Sequence, residues 1–162
     1  LSGLALHDYD DALAPDFHDI NAEWIEAMFR LEQTDRDILS HPRARIIDAG
    51  GAILFVEAPG LGIVGTCALQ KTGEGCFELT KMGVRSSARG QKVGEFLLAA
   101  MIARAAAMRA QTLYLLTSKK CGAAIHLYEK HGFAHDPAIL RDYGARYQRC
   151  DVAMRYRPPE AP

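Results

Sequence analysis

The feature that most limits the fold is a change of hydrophobic period near Gly90. Before it stand three apolar runs, Ala52 to Glu57, Gly62 to Lys71 and Cys76 to Val84. Only turn residues separate them, first Pro59 and Gly60, then Thr72 and Gly73. Short runs joined so tightly predict an antiparallel meander. After Gly90 the spacing becomes helical: within residues 91–108, Val93, Leu97, Ala100, Met101 and Met108 form one stripe. The chain must therefore pack helices on a sheet.

The flanking segments extend this reading. Gly3 to His7 reads as a short strand. Phe17, Ile20, Trp24, Ile25 and Met28 recur at helical spacing within Asp16 to Phe29. A second helix over Gln33 to Leu39 is expected to end before Pro42. Leu113 to Thr117 reads as a buried strand, and Ala123 to Lys130 as a helix closed by Gly132. Tyr147 to Tyr156 reads as the last strand. Residues 1–157 are expected to form one domain, with 158–162 as a frayed tail.

Composition removes several functions. Cys67, Cys76, Cys121 and Cys150 include no C-x-x-C pair, and the histidines are dispersed, so neither a metal site nor a disulfide framework is expected. Reduced thiols, and no secretory pattern at Leu1 to Leu4, point to the cytoplasm. No apolar run approaches the roughly 20 residues of a membrane span. A pI near 6.6, without an extended basic run, gives nucleic-acid binding no support. Charge is uneven, however: residues 1–80 hold 14 acidic and 5 basic side chains, residues 81–162 hold 6 and 14. One half suits an anionic ligand and the other a cationic one.

The segment from Glu78 to Gly94 carries most of the chemistry. A strand runs into a loop with Arg85, Arg89, Gly90 and Lys92, and the loop opens the long helix. The first N–H groups of a helix lack internal partners and favour negative charge, which suits a pyrophosphate. Residues 89–94 read Arg-Gly-Gln-Lys-Val-Gly, and residues 124–133 read Ala-Ile-His-Leu-Tyr-Glu-Lys-His-Gly-Phe. Together these resemble the two motifs of the GNAT superfamily of N-acetyltransferases: Gln/Arg-x-x-Gly-x-Gly/Ala after a strand, and A-x-x-L-Y-E-K-x-G-F. Lys92 stands where the first motif has its first glycine, and Cys121 where an asparagine is common.

The resemblance implies an α/β (α+β) fold with a mostly antiparallel central sheet of about seven strands and about four flanking helices. It implies acetyl-CoA as cofactor and transfer of acetyl to a primary amine, directly in a ternary complex. The backbone of Met82, Gly83 and Val84 would hold the pantetheine arm, with the Val84 amide facing the oxyanion. Arg89, Gly90, Gln91, Lys92, Val93 and Gly94 would hold the pyrophosphate, and Cys121 would line the cofactor edge. Lys92 would fit if its backbone were helical. Tyr128 would serve the departing thiolate. Glu78 is the candidate base, since strand alternation sets it on one face with Thr80, Met82 and Val84; an ion pair with Lys81 or an arginine is the alternative. Asp35, Asp37, Tyr143, Tyr147 and Arg149 are candidate acceptor contacts, and the acidic half suggests a small cationic metabolite. A homodimer follows by analogy with the family. The rival reading is a non-catalytic acyl-CoA sensor or partner-binding module.

Overall fold

A computed structural model describes residues 3–158. Seven strands form one sheet in the order β1-β2-β3-β4-β5-β7-β6. They are β1 (Ala5–Asp8), β2 (Ala52–Ala58), β3 (Gly62–Gly73), β4 (Cys76–Val84), β5 (Thr112–Thr117), β6 (Phe133–His135) and β7 (Val152–Tyr156). Five α-helices accompany them: α1 (Ala14–Met28), α2 (Gln33–Ser40), α3 (Val93–Ala107), α4 (Gly122–Lys130) and α5 (Pro137–Tyr143). Every neighbouring pair is antiparallel except β4 with β5, which run parallel. The mixed sheet expected from the sequence is present, and β2, β3 and β4 form its meander.

The sheet is covered on both faces, which explains why β2 is buried along most of its length. Ile53 and Phe55 pack with Phe17, Ile25, Ile38 and Leu39 of α1 and α2. Leu54 and Val56, pointing the other way, pack with Leu97, Leu98 and Met101 of α3. Each large side chain fully removed from water contributes about 1.5–3 kcal/mol, so the α3 stripe alone anchors that helix.

Two segments differ from the sequence expectation. The last strand begins at Val152 rather than Tyr147, because Tyr147 and Arg149 are drawn into a buried ionic cluster. Just before β7 the Asp151 amide donates to the Thr117 carbonyl at 3.0 Å, and its carboxylate accepts from the Lys119 amide at 2.9 Å. Helix α5 and strand β6 were not expected. The signal for α5 was legible, since Asp136 caps Ala138 and Ile139 through its carboxylate and Pro137 takes the first turn. Of the expected tail, residues 159–162 lie outside the described residues. Among the described residues no helix is long and apolar enough to cross a membrane, and no cluster of metal-ligating side chains occurs.

Candidate active site

The parallel strands β4 and β5 pair only from Cys76 to Leu79 and from Thr112 to Leu115. Beyond that point β4 stays with β3 as far as Val84, while β5 turns to β7. The two strands splay, and a cavity of about 470 Å³ opens in the fork. Thr80, Lys81 and Met82 form one wall and Leu116, Thr117 and Ser118 the other. Trp24 and Phe29 at the end of α1 close one side, and Tyr128 of α4 the other. A strand edge released from its ladder offers N–H and C=O groups to an extended ligand.

A β-bulge shapes the β4 wall. Thr80 sits opposite Ala68 and Gly83 opposite Thr66, so three steps on β4 answer two on β3. Lys81 takes up the extra residue with a left-handed backbone, φ 54°. The strict alternation expected for Glu78, Thr80, Met82 and Val84 is thereby broken. Glu78, Thr80 and Gly83 share the α1 side, while Leu79, Met82 and Val84 pack toward α3. Gly83 is sterically required, since a Cβ there would lie 2.7 Å from Trp24 Cδ1.

Behind this wall lies a buried ionic cluster. Lys81 Nζ donates to Asp35 Oδ1 at 2.9 Å and to the Tyr147 hydroxyl at 2.9 Å. Arg149 grips the same carboxylate with both Nη atoms, at 2.7 and 2.8 Å, and reaches Glu32 Oε2 at 3.1 Å. Asp35 has no exposed surface, and it also accepts from the Glu32 amide in the capping box that starts α2. Burial opposes its ionisation, but Arg149 and Lys81 outweigh that and hold the carboxyl at about 2. Its expected contact with a substrate is therefore corrected: Asp35 does not reach the cavity, and its charge is already neutralised. Asp37 is off the cavity as well, accepting from Gln33 Nε2 at 2.8 Å.

Glu78 lies at the floor, 1% exposed and in contact with Arg146, whose second Nη holds Gln70 at 3.0 Å. Burial pushes the Glu78 carboxyl up from its ordinary value, against the pull of Arg146 and Lys81. Tyr128 lines the opposite side. Its ring is buried and packs edge-on against Phe133 at 5.9 Å between centroids. Burial raises the phenol, so that it stays protonated. Cys121, the cap of α4, and Cys150 also line the cavity, and burial pushes the Cys150 thiol up to about 12.

The loop between β4 and α3 exposes Arg89, Gly90, Gln91 and Lys92. Gly90 has φ 85°, and Lys92, directly before α3, has φ 58°. The helical backbone expected at Lys92 is thus corrected: a lysine adopts the left-handed conformation that a glycine enters without strain. Val93 sends its side chain into the core and Gly94 passes close to Leu127, which leaves the amides at the start of α3 facing outward.

Residues 50–135 match the sequence profile of the acetyltransferase (GNAT) domain. The chain belongs to the GNAT family of acetyltransferases. A comparison with curated proteins by sequence finds no match. Among solved structures it is similar to an acetyltransferase of the GNAT family from Staphylococcus aureus Mu50, with TM-score 0.84, 18% identity, and 95% of this chain and 98% of that one covered. A candidate acyl-CoA N-acyltransferase from Klebsiella pneumoniae subsp. pneumoniae gives TM-score 0.69 and 27% identity over 94% and 96% of the two chains. Similar too is yncA from Salmonella typhimurium, a candidate acetyltransferase solved with its cofactor acetyl-CoA, at TM-score 0.71, 17% identity, and coverages of 99% and 98%.

Within this GNAT fold the cavity gathers Glu78, Met82, Arg89, Cys121, Tyr128, Tyr147 and Arg149 from five separate stretches of chain. Tyr143 is not among them: it stacks on Tyr114 at 4.5 Å, beside Cys76, away from the cavity. The alternative for Glu78, an ion pair with Lys81 or an arginine, is present with Arg146 as the arginine, whereas the pairing of Lys81 with Asp35 was not expected. No motif marks these pairs, because they depend on the bulge and on the turn after α5. Trp24 and Phe29 were legible only as apolar positions of α1.

Proposed function

We propose that this acetyltransferase moves the acetyl group of acetyl-CoA to a primary amine of a small molecule, by direct transfer in a ternary complex. The observation that carries this reading is the fork between β4 and β5, with Tyr128, a buried and protonated phenol, lining it. The fork fits the donor's chemistry. A free strand edge at Met82, Gly83 and Val84 suits an extended amide-bearing arm. The loop from Arg89 to Gly94, ending at the start of α3, suits a pyrophosphate. Residues 1–157 act as one such domain.

Glu78, directly or through a water, takes the proton of the amine, and its upward shift brings it nearer to the working pH. The neutral nitrogen then bonds to the thioester carbonyl carbon. The Val84 main-chain amide stabilises the oxyanion, a contribution commonly about 3 kcal/mol. As the carbon–sulfur bond breaks, the Tyr128 phenol gives its proton to the thiolate, and the second proton that the nitrogen must lose to become an amide leaves through water and restores the phenol. Tyr147 and Arg149 border the acceptor. A route through an acetylated Cys150 is disfavoured, because burial keeps that thiol protonated. The cationic acceptor suggested by the acidic half of the sequence loses its basis, since Asp35 is paired within the protein.

The test is amine-dependent release of free coenzyme A, corrected for the protein's four thiols, with Tyr128→Phe as the comparison. A fall in kcat of about 100-fold or more is expected, as for a lost general acid. Cofactor binding without turnover on any amine would refute transfer and favour a sensor.

A further inference from the structure

The mouth of the cavity carries a charge arrangement that the transfer chemistry does not use. A second groove, about 370 Å³, opens beside the first and shares Met28, Phe29, Lys120 and Arg149 with it. It is completed by Arg30, Glu32 and Gln148. Glu32 is committed to Arg149 and to the Gln148 amide, Asp35 to Lys81 and Arg149, and Glu78 to Arg146. Every carboxylate around the acceptor end is thus answered by a protein cation or amide.

Two cations remain. Lys120, an exposed residue of the loop after β5, has no carboxylate partner among the described residues and lies over the Phe29 ring, 5.6 Å from its centroid. Among the described residues Arg30 meets only the neutral carboxamide of Gln148, at 2.8 Å. The aromatic faces at this end are already taken, Phe29 by Lys120 and Arg149 and Tyr147 by Lys81 and Arg149, while Trp24 and Tyr128 lie deeper in the first cavity. A polyamine entering here would meet like charge and no free carboxylate. An anion would meet two cations without competing partners, next to the fork where the amine must react.

We infer that the acceptor is an amine that also carries a carboxylate, an amino acid in the simplest case, with its carboxylate held between Lys120 and Arg30 in the second groove. This rests on the acetyl-transfer reading above and names its substrate class. Arg149, locked by Asp35 and Glu32, shapes the passage between the two grooves.

The experiment measures coenzyme A release by the full chain on matched pairs: α-amino acids and their primary amides, and ω-amino acids and theirs. The acid of at least one pair should exceed its amide by 10-fold or more in kcat/KM. That ratio should fall toward one in Lys120→Gln and in Arg30→Gln, through KM for the acid, and should shrink with added salt. The α and ω series tell how far the carboxylate sits from the reacting nitrogen. Equal rates on acids and amides, or a preference for diamines, would overturn the inference while leaving acetyl transfer standing. So would a Lys120→Gln effect confined to KM for acetyl-CoA, which would assign that lysine to the cofactor. No turnover on any amine would overturn both together.

Discussion

Replacing Asp35 by Asn removes one charge and little volume from the most buried ionic cluster in the protein. The carboxylate accepts four hydrogen bonds, from Lys81, from both Nη atoms of Arg149 and from the Glu32 amide. Arg149 keeps Glu32, but Lys81, with its side chain 2% exposed, loses the one carboxylate that it contacts directly among the described residues. Breaking a buried pair on one side costs about 3–5 kcal/mol, since the other charge stays buried. The depressed pKa gives an independent figure: a carboxyl held at about 2 against 3.8 contributes about 2–3 kcal/mol. The two overlap near 3 kcal/mol, or roughly 6–12 °C in Tm for a chain of this size. The sign with pH follows from the depression. The contribution is complete above the unfolded value near 4 and disappears as pH falls through about 2. Urea titration of both proteins at constant m should therefore show a wide gap at pH 7 that closes between about pH 4 and 2. A loss below about 1 kcal/mol at pH 7, or a gap as large at pH 2 as at pH 7, would refute the claim that this carboxylate neutralises the cluster.

Three further predictions follow from the same region. Lys92→Gly should raise stability by about 1 kcal/mol in urea titration, since φ 58° strains a lysine, while KM for acetyl-CoA rises if the ammonium faces phosphate. Gly83→Ala should cost about 1–3 kcal/mol in the same measurement, because the new methyl meets Trp24. In a pH–rate profile, the wild type should lose kcat as acid protonates Glu78, at a pH above the usual glutamate value; Glu78→Gln should lower kcat and abolish that limb.

The sheet was largely readable because its strands are apolar runs with clear stops, and β4 was bounded correctly at Cys76 and Val84. The faces within β4 were not readable. Alternation holds only while the ladder is regular, and Lys81 carries no sign that it will adopt a positive φ. Asp35 illustrates the same limit. Its acidity suggested a ligand contact, but its fate is decided by Lys81 and Arg149, 46 and 114 residues away in sequence. The loop at Gly90 was legible because a strand stop and a helix start mark it in the local chain, and Tyr128 stood out by the resemblance of residues 124–133 to the second family motif. The brevity of β7 was hidden for the opposite reason, since Tyr147 and Arg149 look strand-like until a distant carboxylate claims them.

The fork also has a consequence for cohesion. Strands β1 to β4 and strands β5 to β7 meet through one short parallel ladder, four residues on each side, with α3 linking them in sequence. A molecule that lies along both free edges would act as a missing strand, tying the two halves where the protein ties itself least. Its binding energy then appears as resistance to unfolding, about 2.7 kcal/mol at a hundred times the dissociation constant. The amides of Thr80 to Val84 and of Leu116 to Ser118 should gain the most protection from hydrogen exchange. In such a sheet, ligand occupancy and mechanical integrity are one quantity, so the empty and loaded proteins should differ in how they come apart as well as in how firmly they hold.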